Sequence, residues 1–428
     1  MQNNNTPNNT PNRSNLQRRV PTSVKRSRFG DSKTPKNIKN TNNSKETKET
    51  KNTKNTVVKI TLRCLAVIMT FVAAIVITLY CALGMLCTNR VPKEEKAKGN
   101  ISEILYITVP TFLETGQFKF IPSLYLSSDA IQSIVDKNKM EDMEANVDEN
   151  LINIGSDGQK GYLDIDMTVD PKEENDSQNN NEAPIEIHEV SGATYFGTMM
   201  VVKDPSRVSL ATIYPWRAEG VTLDKLVKDN GAIAGINGGL YNSYNNTGGS
   251  PYGIIVSNGE IQYNKPQQWP GLVLIGLTEN NILQIIDVSK MNASQVEKLV
   301  KERKIRDAVT FQDEASDANN HFVQLIINGE ERQMNGMGSG LNPRTAIGQR
   351  ADGAILMFVT DGRGKNGHLG ASASDLIEVM KNFGAVNAAN LDGGSSSCMY
   401  YEDRFLMDSV TFYNSNSSWK LPAGFVVK

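Results

Sequence analysis

The chain has 428 residues, 39% of them hydrophobic and 21% charged, with a formal net charge of −2. That suffices for one large domain or two smaller ones with a sizeable core. Of its four cysteines, Cys64, Cys81 and Cys87 sit in or beside one apolar run and Cys398 stands alone, which excludes a disulfide framework and a Cys/His metal cluster in the rest of the chain.

The near-neutral total hides a split. Residues 1–63 carry fifteen Lys/Arg against Asp31, Glu46 and Glu49, about +12, so the remainder carries about −14. Residues 1–56 are rich in Asn, Thr, Lys and Pro and cannot bury enough apolar surface to order themselves. Such a tail can touch anionic lipid or nucleic acid. The reading preferred is a solvated determinant of membrane topology, with no nucleic-acid partner.

From Cys64 to Cys87 the chain runs 24 residues without a charge, long enough at ~1.5 Å per residue to cross a bilayer core of ~30 Å. A cleavable signal would have a shorter apolar region and a small-x-small site, and Leu83-Gly84-Met85-Leu86 is a poor one. The span is therefore read as an uncleaved anchor, with the basic tail cytoplasmic and the acidic bulk outside. Residues 88–184 form an extracytoplasmic lead-in. Residues 101–138 are partly helical, an amphipathic stretch Ser128–Val135 follows a Ser127 or Ser128 cap, and Pro171 to Pro184 is a flexible acidic loop.

A compact domain is expected over 185–428. Met199–Val202 and Val208–Thr212 read as strands around the turn Asp204-Pro205-Ser206. Thr222 caps a helix that Gly231 stops, and Ala232–Ile236 is a short strand. Gly253–Val256 and Glu260–Tyr263 form a hairpin on Asn258-Gly259. Asn292–Ile305 is a helix, and Val323–Ile327 opens a further hairpin at Asn328-Gly329.

The chemistry concentrates near the C-terminus. The apolar strand Ala354–Thr360 ends in Asp361-Gly362-Arg363. Ser372 and Asp375 make a capping-box pattern for a helix Ala373–Phe383 that stops at Gly384. A second apolar strand, Ala385–Leu391, ends in Asp392-Gly393-Gly394-Ser395. Strand–helix–strand favours parallel strands with a right-handed crossover, which brings both aspartates to one sheet edge. If the strands are neighbours, ~5 Å separates them laterally. A two-residue hairpin at Asp352-Gly353 puts Ala351 opposite Ala354 and, counting back, Arg344 opposite Asp361. A third strand end, Asn237-Gly238-Gly239, joins the same edge, and Ser395, Ser396 and Ser397 supply hydroxyls suited to an anion. His188 and His321 read as surface residues, and His368 lies in the loop after Arg363. No Ser-His-Asp order or HExxH pattern supports a serine hydrolase or a zinc enzyme.

The segments INGGLYN (236–242), NPRTAIGQRADGAILMFVTDGR (342–363) and GAVNAANLDGGSSSCMYY (384–401) resemble the phosphodiester glycosidase family. The likeness extends over roughly 185–428, and residues 108–138 resemble the lead-in of membrane-anchored bacterial members of exopolysaccharide-biosynthesis type. It implies a mixed α/β fold, a mixed sheet flanked by helices with a Gly-rich site at strand ends. It also implies hydrolysis of a sugar-1-phosphodiester at the sugar C1–O bond, with N-acetylglucosamine the favoured sugar and a phosphate-linked glycan as substrate. On this resemblance Asp361, Asp392, Arg344 and Arg363 are the catalytic candidates. Asn237, Gly238, Gly239, Thr345, Gly393, Gly394, Ser395 and Ser396 are the substrate-binding candidates. Two departures, Leu240-Tyr241 after the glycines and Ser395 where a third glycine is usual, bear on substrate fit. No cofactor is required, although Asp361, Asp392 and Asn237 are oxygen donors that a Ca²⁺ or Mg²⁺ ion accepts. A phosphoglycan-binding assembly factor and a metal-dependent phosphodiesterase are the alternative functions.

Overall fold

The structure is a computed structural model describing residues 58–79, 103–114, 119–124, 126–143, 146–154, 184–313, 321–410 and 416–428. The tail to residue 57, residues 80–87 of the expected span and the acidic loop up to residue 183 lie outside these. Helix α1, Val58–Leu79, is apolar and long enough to cross a membrane by length and composition, and begins six residues before the expected span. Two lead-in helices follow, α2 (Glu103–Leu113) and α3 (Ser128–Lys137). The cap of α3 is Ser127, whose Oγ accepts from Ala130 N at 3.2 Å.

The rest is a mixed α and β fold of three sheets. The first contains β1 (Ile185–Ser191), β2 (Phe196–Val202), β10 (Gln324–Ile327), β11 (Glu330–Glu331), β12 (Thr345–Arg350), β13 (Ile355–Thr360) and β14 (Ala385–Asn390), in the order β1-β2-β13-β12-β14-β10-β11. The second comprises β3 (Val208–Thr212), β4 (Ala234–Asn237), β15 (Met399–Tyr401), β16 (Arg404–Met407) and β17 (Ala423–Val427), ordered β16-β15-β4-β17-β3. The third comprises β5 (Ile254–Ser257), β6 (Glu260–Asn264), β7 (Leu272–Thr278), β8 (Leu283–Asp287) and β9 (Ile305–Gln312), ordered β6-β5-β9-β7-β8. The helices are α4 (Leu223–Asp229), α5 (Ala293–Glu302) and α6 (Ala373–Asn382).

The central strand β13 of the first sheet is buried on both faces, which explains its unbroken apolar run. One face packs Leu356 and Phe358 beneath Leu376, Val379 and Met380 of α6. The other packs Met357 and Val359 into a core shared with Ile236, Phe425, Ile275 and Val309 from the two other sheets. The capping box of α6 is formed in both directions: Ser372 Oγ accepts from Asp375 N, and the Asp375 carboxylate accepts from Ser372 N. The Asn258-Gly259 turn takes positive φ at both residues, 51° and 76°, as its hairpin requires.

Two expectations need correction. The helix expected over 292–305 ends at Glu302: Asn292 is its N-cap, Lys304 has φ 49°, and Ile305 opens β9. More consequentially, β13 and β14 run parallel to one another but are not neighbours. Strand β12 lies between them, antiparallel to both. The crossover through α6 therefore skips one strand position, because the chain has already placed β12 there.

Candidate active site

Strand order decides what meets at the site edge. Because β12 runs against both neighbours, its start lies beside the ends of β13 and β14, with Arg344 between the two aspartates. The hairpin register then selects one of them. Gln349 pairs with Ile355 and Thr345 with Val359, so the loop holds three residues, Ala351-Asp352-Gly353, rather than two. Arg344 consequently faces Thr360, not Asp361: Thr360 N donates to Arg344 O at 2.9 Å and Arg344 N to Thr360 Oγ1 at 3.0 Å. Opposed residues share a face and successive residues alternate, so Asp361 turns to the other one. On the opposite flank Ala346 pairs with Asn390. Two more steps of that register bring Arg344 beside Asp392.

Asp361 is 2% exposed and engaged on both oxygens. Oδ1 accepts from Phe196 N at 2.8 Å, and Oδ2 stands 2.6 Å from His368 Nδ1. It does not line the cavity at the sheet edge. Asp392 does, together with Arg344, Arg363, Asn342, Asn390, Gly393 and Gly394 from the predicted segments and Glu114, Lys119, Phe311, His321 and Phe322 from elsewhere, around about 120 Å³.

Asp392 is partly buried at the cavity wall. Burial pushes its pKa up to about 6, against the Ser396 hydroxyl, the Gly393 N–H and the charges of His321 and Arg363, which favour the anion. Arg363 leaves β13 through a backbone with φ 53°. Its Nη1 donates to Ser395 Oγ at 2.8 Å and its Nε to Asn342 Oδ1 at 3.3 Å. Burial, then the neighbouring Arg344 charge, pulls Arg363 down to about 10. Two guanidiniums that repel one another across a cavity form a site for an anion. Gly394 takes φ 64°, which favours glycine, and a Cβ there would push against the Arg363 guanidinium, 2.6 Å from Nη2.

The remaining expected binding residues build the site's walls. Asn237 is fully buried and donates from Nδ2 to Asp392 O at 2.7 Å, while its Oδ1 accepts from Thr345 Oγ1 at 2.8 Å and Cys398 N at 3.2 Å. Asn237 and Thr345 thus clamp the Asp392 turn from behind and do not line the cavity. Nor do Gly238 and Gly239, which permit close sheet packing: a Cβ on Gly239 would lie 2.3 Å from Thr310 O. Ser396 is buried against Tyr241, with 3.0 Å between hydroxyls. Asn237 is thus engaged with the Asp392 backbone, and Asp361 with Phe196 and His368. Among the described residues no group of three or more His, Cys, Asp or Glu side chains stands ready for a metal.

Five lining residues escaped sequence reasoning: Glu114, Lys119, Phe311, His321 and Phe322. His321, read as a surface residue, lines the cavity edge-on to Phe311, with ring centroids 6.3 Å apart. Phe322 carries the Arg344 guanidinium over its ring at 5.0 Å. Glu114 pairs with Arg344 across 230 positions of sequence. None sits in a motif, and only the fold brings them in.

Residues 230–428 match the family model described as phosphodiester glycosidase. Over 65 residues the chain is 38% identical to the SPbeta prophage-derived uncharacterized protein YomE of Bacillus subtilis strain 168, a match covering 15% of this chain and 10% of that one. The chain thus spans about a tenth of the length of that curated relative. The catalytic domain of zebrafish N-acetylglucosamine-1-phosphodiester alpha-N-acetylglucosaminidase, auto-inhibited by its pro-peptide, is similar at 17% identity and a TM-score of 0.45, over 59% of this chain and 85% of that one. A hypothetical protein from Synechocystis is similar at 16% identity and a TM-score of 0.38, over 58% and 64%.

Proposed function

Starting from the phosphodiester glycosidase domain that residues 230–428 carry, we propose that the chain is a membrane-anchored, extracytoplasmic hydrolase of sugar-1-phosphodiester linkages in envelope or exopolysaccharide glycans. N-acetylglucosamine is the favoured sugar. The supporting observation is one cavity lined by two guanidiniums, Arg344 and Arg363, and by Asp392, a carboxyl that burial pushes up to about 6. A phosphodiester is already a good leaving group. The enzyme's task is to stabilise negative charge on phosphate and positive charge on the sugar. Arg363 and Arg344 hold the phosphate oxygens with charge-assisted bonds. Asp392, once ionised, stabilises the oxocarbenium-like centre and either attacks it or directs water onto it. Asp361, bonded to Phe196 N and His368, holds the loop carrying Arg363 and takes a positioning role in place of the catalytic role expected of it.

Helix α1 supplies the single span, with the basic tail inside and the domain outside. Protease added to intact cells should remove the C-terminal domain and spare the tail. For the chemistry, the full chain in detergent is incubated with the methyl phosphodiester of N-acetylglucosamine-1-phosphate and the products are identified. With heavy-isotope oxygen in the water, free sugar and unlabelled methyl phosphate support C–O cleavage, whereas labelled methyl phosphate would show P–O cleavage on the sugar side. Sugar-1-phosphate would show P–O cleavage and would falsify the glycosidase reading. Binding without turnover would indicate the assembly factor.

A further inference from the structure

Resting on that reading, we infer that the membrane-proximal lead-in is part of the phosphate site, with Glu114 the positioning residue for Arg344. Glu114 lies far outside residues 230–428, yet its side chain is only 5% exposed and lines the same cavity as Asp392. Its Oε1 accepts from Gly340 N at 2.6 Å, and its Oε2 takes Arg344 Nη2 and, at 3.3 Å, Asn342 Nδ2. Asn342 is also the residue that receives Arg363 Nε. One carboxylate thus ties together both guanidinium supports.

The docking of α2 behind it is specific. Ile107 packs on Met337 and Leu341, and Thr111 Oγ1 accepts from Leu341 N at 3.0 Å. A Cβ on Gly340 would lie 2.5 Å from Pro110 C and Thr111 N, so only glycine lets the helix end approach this loop. Pro110 O accepts from Glu114 N at 3.0 Å, which sets the carboxylate at the turn leaving α2. Lys119, from the same segment, adds a further cation to the cavity.

Arg344 is thereby fixed rather than merely neutralised. Nε donates to Ala371 O, and Nη2 to Ser339 Oγ, Gly340 O and Glu114. Among the described residues Nη1 is left without a hydrogen bond, the edge available to a phosphate oxygen. A guanidinium with its other edge locked loses little freedom on binding an anion, and a misplaced one loses transition-state contact.

The test is a double-mutant cycle on the full chain in detergent, read by kcat/KM on the methyl phosphodiester and by calorimetric binding of inorganic phosphate. Glu114→Ala should lower kcat/KM about 10- to 100-fold and weaken phosphate binding, and Glu114→Ala with Arg344→Ala should be no worse than Arg344→Ala alone. Glu114→Asp keeps the charge, should fall between, and supplies the same cycle if Glu114→Ala fails to fold. Additive effects in the cycle would assign Glu114 a structural role only and overturn the inference. A rise in kcat/KM for Glu114→Ala would also overturn it, marking the carboxylate as a competitor of substrate. If the wild type binds phosphate in a Glu114-dependent manner without turnover, the glycosidase reading fails and this inference stands.

Discussion

Replacing Asp392 by asparagine separates what the site needs from what the fold prefers. Raising a carboxyl from 3.8 to about 6 means that ionising Asp392 in the folded state costs roughly 3 kcal/mol more than in the unfolded chain. The sign follows from proton binding. Between about pH 4 and 6 the folded state holds a proton that the unfolded state has released, so stability falls as pH rises through that window. The neutral group's advantage is complete below pH 4 and gone above about 6. The amide of the Asp392→Asn variant would be neutral at every pH and retains an oxygen for the Gly393 N–H, which Asp392 Oδ1 accepts at 3.0 Å. Allowing for weaker hydrogen bonds, the Asp392→Asn protein should be about 1–3 kcal/mol more stable at pH 8, a Tm gain of several degrees for a domain this size. At pH 4 the difference should vanish, while turnover at pH 8, where wild-type Asp392 is ionised, falls by about two orders of magnitude or more. Thermal unfolding of the two full-length proteins in detergent at pH 4, 6 and 8, followed by tryptophan fluorescence, measures this. A Tm difference that is absent or independent of pH would refute the argument that burial holds the carboxyl up. A gain with undiminished turnover would remove Asp392 from the chemistry.

The same carboxyl sets the pH–rate profile: kcat/KM should rise through about pH 6 and level off, whereas a falling limb there would make Asp392 the proton donor. Arg363→Ala should lower turnover at least about 100-fold, and Arg363→Lys should recover only part, because an ammonium cannot reproduce the fork that meets Ser395 and Asn342. Steady-state kinetics on the methyl phosphodiester checks both. Gly370→Ala places a Cβ 2.4 Å from Asn342 C at a φ of 120°. It should destabilise the protein by at least about 2 kcal/mol and raise KM, both readable by unfolding and kinetics.

Much of the site was legible in local sequence because local chemistry governs it. The capping box Ser372/Asp375, the Asn258-Gly259 turn, the apolar run of β13 and the glycine-rich turn after Asp392 each rest on residues within a few positions of one another. The charge-free run from Cys64 to Cys87 likewise reads as membrane-length by composition alone. The convergence of Arg344 and Asp392 also followed from strand polarity. Tertiary structure alone decided which aspartate faces the cavity, since the Ala351-Asp352-Gly353 loop, one residue longer than Asp-Gly suggests, shifts the register and sends Asp361 to the opposite face. It alone placed β12 between β13 and β14, and it alone delivered His321 and Glu114, whose partners lie too far away in sequence for any period or motif to record. Residue type and spacing encode contacts within a turn or a hairpin; a carboxylate that meets its arginine across 230 positions is specified only by how helices and sheets pack.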